Sequence, residues 1–421
     1  MTDTGNDNKK ERVLLVKAAD PRYDKDTESD IEEMKGLIAA ADGEVAGVIV
    51  VKRQALSPAF YIGGGKAEEI ARDYKDTVDL IVFDGQLKPV QVRNLEKITE
   101  KRVIDRTQLI LDIFAARAQT SEGKLQVEYA QLNYMLPRLT GHGVSMSRLG
   151  GGIGTKGPGE TKLETDIRKI RKRLQKIKED LEKVKDGRER QRERRKSVPV
   201  PQIALVGYTN VGKTMFLNSM TNAGKLSEDK LFATLDPKIR QYRLPAGYRV
   251  LFSDTVGFIK NLPTQLVAAF RATLEEVRDA DIILHIMDAS DPEAENHKET
   301  VNSILREIGA FEGKKIIEVW NKADLLDTER RKFLVSGAGE IYISAKTGEG
   351  IDKLLKEIEK TVSAEYFHAD VEIPHFAAGL AALFYNEAVV VSRTDTDEMV
   401  KLSVMCTKKT MEQYKKSLME D

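Results

Sequence analysis

One cysteine, Cys406, stands alone among 421 residues, so no intrachain disulfide framework is available and a reducing compartment suits the chain. That cysteine and five histidines show no metal-ligand spacing, which argues against a zinc site. No run approaches the ~18 apolar residues of a membrane helix. Residues 1–10 lack an apolar signal core, so the expectation is a short disordered tail over 1–11 on a cytoplasmic protein. Charge of neither sign is in excess, with 67 basic and 67 acidic residues, and only local runs can point to a charged partner. The length is enough for two to four domains with ample core.

What is present begins with Gly207, Tyr208, Thr209, Asn210, Val211, Gly212, Lys213 and Thr214, which fit the phosphate-cradling pattern of glycine, four residues, glycine, lysine and a hydroxyl residue. The apolar run Gln202 to Val206 before it reads as a buried strand, and Met215 to Met220 after it can continue as a helix. In that context the loop N–H groups and the helix dipole converge on the β-phosphate, Lys213 reaches the β- and γ-phosphates, and the Thr214 hydroxyl binds Mg²⁺.

Three further motifs follow in order, each closing an apolar strand. Asp254, Thr255, Val256 and Gly257 come after Tyr248 to Phe252; Asp254 would hold Mg²⁺ through water and the Gly257 N–H would face the γ-phosphate. Asn321, Lys322, Ala323 and Asp324 end the run Lys315 to Trp320. The Asp324 carboxylate can accept from both N1–H and N2–H₂ of guanine, donors that adenine does not present together, and Lys322 would lie along the base plane. Ser344, Ala345 and Lys346 follow Glu340 to Ile343 and offer a backbone N–H to guanine O6. This series resembles the translation-factor-like class of P-loop GTPases.

Upstream, residues 12–106 alternate strand-like runs (Val13 to Val16, Val45 to Val51, Leu80 to Phe83) with amphipathic stretches (Thr27 to Ala41, Lys66 to Tyr74, Pro89 to Thr99), the pattern of a small α/β domain with parallel strands. Its loop Gly63-Gly64-Gly65-Lys66 reads either as a phosphate or RNA-backbone contact or as a turn and helix start. Residues 107–197 turn helical. Leu125, Tyr129, Leu132, Leu136 and Leu139, and then Leu163, Ile167, Ile170, Leu174, Ile177, Leu181 and Val184, step by threes and fours, predicting an antiparallel helical hairpin. Its connection, 141–159, carries eight glycines with Arg148 and Lys156, read as a flexible linker or as a tip whose amides meet RNA. From Glu160 to Lys196 there are 16 Lys or Arg against 9 Asp or Glu, either a solvated helix or a nucleic-acid-facing arm. RNA is favoured over DNA because no groove-reading pattern occurs.

The glycine-rich tip followed by Gly157-Pro158-Gly159-Glu160-Thr161-Lys162-Leu163-Glu164, just upstream of a GTPase domain, is similar to the HflX family of ribosome-associated GTPases, as is Gly65-Lys66 with Glu68-Glu69-Ile70. The resemblance covers roughly residues 12–364. It implies an N-terminal domain and hairpin that dock on the large ribosomal subunit with the tip near the peptidyl-transferase centre, and a GTPase cycle coupled to separating stalled or stressed ribosomes. Phe258 stands where many GTPases carry a glutamine that orients the attacking water, so slow intrinsic hydrolysis is expected, on the order of 10⁻⁴ to 10⁻² s⁻¹, accelerated by a partner. Asn210 resembles the asparagine of potassium-stimulated GTPases and is equally readable as a loop residue satisfied by its own backbone. Thr234, in the segment 231–237, is the candidate switch threonine for Mg²⁺ and γ-phosphate.

The expected organisation is therefore a tail (1–11), a small α/β domain (12–106), a helical hairpin (107–197) and a GTPase domain (198–364) with a mostly parallel sheet covered by helices on both faces. A small α+β domain (365–421) completes it. Lys213, Thr234 and Gly257 are the expected catalytic residues, Thr214, Thr234 and Asp254 the Mg²⁺ residues, and potassium a second candidate ion. GTP or GDP and large-subunit RNA are the expected partners of a monomer. A ribosome-assembly or RNA-modification GTPase is the first alternative; an ATP-driven RNA-remodelling enzyme is a more distant one, opposed by the guanine-specific Asn321 to Asp324.

Overall fold

A computed structural model describes residues 10–20, 27–53, 55–143, 162–197, 200–221, 231–232, 234–235, 238–260, 271–327, 329, 331, 340–364 and 366–420. The chain forms two compact units, the first from residues up to Lys183 together with 231–235, the second from most of the chain after Val184. The 1–9 tail, Arg148, Lys156 and most of the glycine-rich tip lie outside the described residues.

In the first unit, four parallel strands run in the order β2-β1-β3-β4: β1 (Arg12–Ala19), β2 (Glu44–Lys52), β3 (Leu80–Asp84) and β4 (Arg102–Asp105). Helices α1 (Thr27–Ala40), α2 (Gly64–Asp73) and α3 (Pro89–Thr99) make the crossovers that parallel pairing requires. The β3 run Leu80 to Phe83 is buried on both faces, which is why it reads as continuously apolar. Strand β4 was not anticipated because it is only four residues long.

The helices α4 (Arg106–Arg117), α5 (Ser121–Gly143) and α6 (Lys162–Ser197), the last as far as Lys183, continue the unit. The predicted stripe of α5, Leu125, Tyr129, Leu132, Leu136 and Leu139, is only half buried. Its fully buried face is instead Gln126, Val127, Ala130 and Tyr134. The reason is a polar anchor that hydrophobic periodicity cannot show. Asp105, fully buried, caps α4 by accepting the Gln108 N–H, and accepts the Tyr134 hydroxyl at 2.5 Å, the Leu87 N–H at 3.0 Å and Arg138 at 3.0 Å. The Arg138 guanidinium lies 3.4 Å from the Tyr134 ring centroid. Where α5 and α6 meet, Arg173 donates to both carboxylate oxygens of Glu128 at 2.6 Å.

The second unit holds a six-stranded sheet in the order β10-β9-β8-β5-β7-β6, parallel except for β6 against β7. Its strands are β5 (Gln202–Val206), β6 (Lys238–Arg243), β7 (Arg249–Asp254), β8 (Ile282–Asp288), β9 (Lys315–Asn321) and β10 (Ile341–Tyr342), with α7 (Lys213–Thr221), α8 (Arg271–Asp279) and α9 (Ala294–Glu307) in the connections between them and α10 (Ile351–Ser363) after the last strand. Ile283, Leu284 and Ile286 of β8 are completely buried, each contributing about 1.5–3 kcal/mol.

A third sheet, antiparallel β11-β13-β12 (Phe367–Pro374, Met399–Cys406 and Val389–Asp395), carries α11 (Ala381–Glu387) and α12 (Lys408–Glu420). Val371, Phe384, Val404 and Tyr414 share its core. The expected α/β architecture with a small α+β C-terminal domain is the one observed. Among the described residues no helix is long and apolar enough to cross a membrane.

Candidate nucleotide site

The parallel strands β5, β7, β8 and β9 bring their carboxyl ends to one edge of the six-stranded sheet, the place where such sheets take ligands. The loop Gly207 to Thr214 leaves β5 there and runs into α7, whose first residue is Lys213.

Lys213 is buried, and its Nζ donates to the carbonyls of Gly207 at 3.0 Å and Tyr208 at 2.7 Å. Burial pushes its ammonium down to about 8, against the pull of Asp254. Thr214 donates its hydroxyl to Asp254 at 2.8 Å, joining the end of β7 to the start of α7. Asp254 is fully buried, and Thr255 anchors the next turn by donating to the Leu205 carbonyl at 2.6 Å. A hydroxyl and a carboxylate side by side are hard oxygen donors of the kind Mg²⁺ takes alongside waters, so the residues present fit that ion.

Gly257 packs directly against the phosphate loop: a Cβ there would meet Thr209 Cα at 2.8 Å and Lys213 Nζ at 3.1 Å. Beside it, Thr209 N–H donates to Phe258 O at 2.8 Å and Phe258 N–H to Gly207 O at 3.1 Å. Phe258 is 5% exposed, an apolar side chain turned inward. Asn210 is exposed in the left-handed region, φ 62°, a conformation asparagine tolerates.

The other side of the site is tied by Asn321. Its Nδ2 donates to the Val211 carbonyl at 2.7 Å and its Oδ1 accepts the Ala345 N–H at 2.9 Å, so one side chain joins the phosphate loop to the loop after β10. Ser344, fully buried, donates to Asp324 at 2.6 Å and accepts the Thr347 N–H, holding the carboxylate in place. Lys322, at φ 62°, pairs with Asp288 at 2.7 Å; Lys346 is exposed.

Thr234 is buried, but in the first unit, where neighbouring Phe232 stands edge-on to Phe114 with ring centroids 4.8 Å apart. Sequence reasoning missed Asp288, whose only signal is its place as the polar terminus of an apolar strand. His285 of β8 is core, 1% exposed, its Nδ1 has no hydrogen-bond partner among the described residues, and burial lowers the imidazole to about 4.

Comparison with known proteins meets this geometry at each segment. Residues 28–115 match the family described as "GTP-binding GTPase N-terminal", 117–195 "GTP-binding GTPase Middle Region", 202–322 "50S ribosome-binding GTPase" and 335–420 "HflX C-terminal domain". A protein named GTPase HflX from Magnetococcus marinus is 43% identical over 94% of this chain and 92% of its own length. The chain belongs to the HflX family of GTPases. Others of that name are 51% identical in Alkalihalophilus pseudofirmus, over 75% of this chain and 74% of the relative, and 47% identical in Caldanaerobacter subterraneus, over 85% and 82%. As a member of the HflX family it hydrolyses GTP, and the strand-end cluster of Lys213, Asp254 and Asn321 lies within the segment matched to the GTPase domain.

Proposed function

We propose that this HflX-family GTPase works in the cytoplasm on the large ribosomal subunit, coupling its nucleotide cycle to ribosome binding or to separating subunits under stress. The observation that carries the reading is the match of residues 202–322, which include the phosphate loop and Asn321, to a family described as 50S ribosome-binding GTPase. The basic excess between Glu160 and Lys196 supplies the phosphate-seeking charge such a surface needs. Arg148 and Lys156 in the tip are the proposed RNA contacts.

In this reading the backbone from Gly207 to Thr214 cradles the phosphates, Lys213 neutralises them, and Asp324 reads guanine with Ser344, Ala345 and Lys346 around the base. Thr214 and Asp254 would hold Mg²⁺, which supplies charge neutralisation on the phosphates when bound. Asn210 is the proposed potassium residue. Phe258 lacks a group that could orient water, so the rate depends on a partner that supplies what this side chain cannot.

The test is GTP turnover by the purified chain alone and with purified large subunits. Strong stimulation supports the reading; turnover as fast alone as with subunits refutes it.

A further inference from the structure

Tyr208 is the one aromatic side chain of the phosphate loop, and phosphate binding at that position needs only backbone. Its ring is 6% exposed and lies flat on His297 of α9, with centroids 3.8 Å apart and planes 9° from parallel. His297 is itself fixed, its Nδ1 2.9 Å from Asp291, whose carboxyl is held below the usual range by that hydrogen bond. The Tyr208 hydroxyl accepts the backbone N–H of Lys260 at 2.7 Å. Two residues earlier, Phe258 pairs with the backbone on either side of Tyr208. Immediately before Phe258 stands Gly257, in direct contact with Thr209. Lys260 reaches the same support from its other end, its Nζ 3.7 Å from Glu293 at the start of α9.

Packing accounts for the ring, since any aromatic would stack on His297. It does not account for the hydroxyl, which makes a specific bond to the segment that follows Gly257.

We propose that Tyr208 is a positioning residue for GTP hydrolysis: its hydroxyl holds the Lys260 amide and so fixes the backbone that places Gly257 beside the phosphate loop. Tyr208 touches no reacting atom in this scheme. It acts through Gly257, and His297 with Asp291 sets the ring that carries the hydroxyl. The role concerns hydrolysis by the chain itself and stands apart from the ribosomal partner proposed above.

The experiment uses the full chain without ribosomes. Tyr208→Phe removes one hydrogen bond and keeps the stack. The expected result is a single-turnover GTP hydrolysis rate lower by about three- to tenfold, fluorescent GDP and GTP-analogue affinities within about twofold of the parent, and faster amide exchange at Lys260. His297→Ala, which leaves the phosphate-loop sequence intact, should give the same split between rate and affinity. A parent-like or higher rate in both variants, unchanged exchange at Lys260, or a rate loss matched by an equal loss of affinity overturns the proposal.

Discussion

A Cβ placed on Gly212 would lie 2.4 Å from Asn321 Nδ2, although the two residues are more than a hundred positions apart. The phosphate loop thus fits around a side chain from the end of β9, and Gly212 at φ 91° is a position where any larger residue is excluded twice, by clash and by backbone. Nucleotide binding should therefore depend on Asn321 without Asn321 contacting phosphate.

Asn321→Ala removes both buried hydrogen bonds, to Val211 and from Ala345, each contributing ~0.5–1.5 kcal/mol. Affinity for GDP and GTP should fall together by about ten- to a hundredfold, measured with a fluorescent analogue. Parent-like affinity would show that the loops hold their places unaided.

Asp324 is the residue proposed to read the base. Asp324→Ala should lower GTP affinity by about a hundredfold or more, at ~1.5–3 kcal/mol for each of two charge-assisted bonds. Asp324→Asn should shift preference toward xanthine nucleotides, because the amide presents a donor where the carboxylate accepts. Unchanged GTP affinity in Asp324→Ala would refute the assignment.

Lys213 makes binding depend on pH. With the buried ammonium lowered to about 8 from 10.5, the penalty on the charged form is fully present below pH 8 and fades as pH rises toward 10.5. Phosphates restore the charge, so binding at pH 8.5 should take up on the order of one proton and binding at pH 7 almost none. Calorimetry in buffers of different ionisation enthalpy measures this. Heats independent of buffer at pH 8.5 would contradict it.

Asp105 holds the first unit. Asp105→Ala leaves Arg138 and the Tyr134 hydroxyl without their carboxylate and should destabilise that unit by about 3–5 kcal/mol, read from denaturant unfolding. Asp105→Asn, which keeps the shape and loses the charge, should cost less. Equal, small effects from both would mean the anchor contributes little.

Much of the fold was legible because it is written in short, local signals. Apolar runs of four to six residues marked β1, β3, β5 and β9, and the phosphate loop and its strand-end companions are consecutive residues whose chemistry is mostly backbone. What escaped is non-local or weakly patterned. Strand β6 is exposed along most of its length, with a sequence, Lys238 to Arg243, that looks like a loop. The α5 face follows Asp105 rather than leucine spacing. Tyr208 meets His297, and Asn321 meets Val211, only after the sheet has assembled, so no window of sequence holds either pair.

The most direct measurement is co-sedimentation of the full chain with large subunits, small subunits and intact ribosomes, in a non-hydrolysable GTP analogue, in GDP and without nucleotide. The account predicts analogue-dependent binding to the large subunit, lost when residues 141–159 are deleted. Binding that ignores the nucleotide, or that goes to the small subunit, would contradict it.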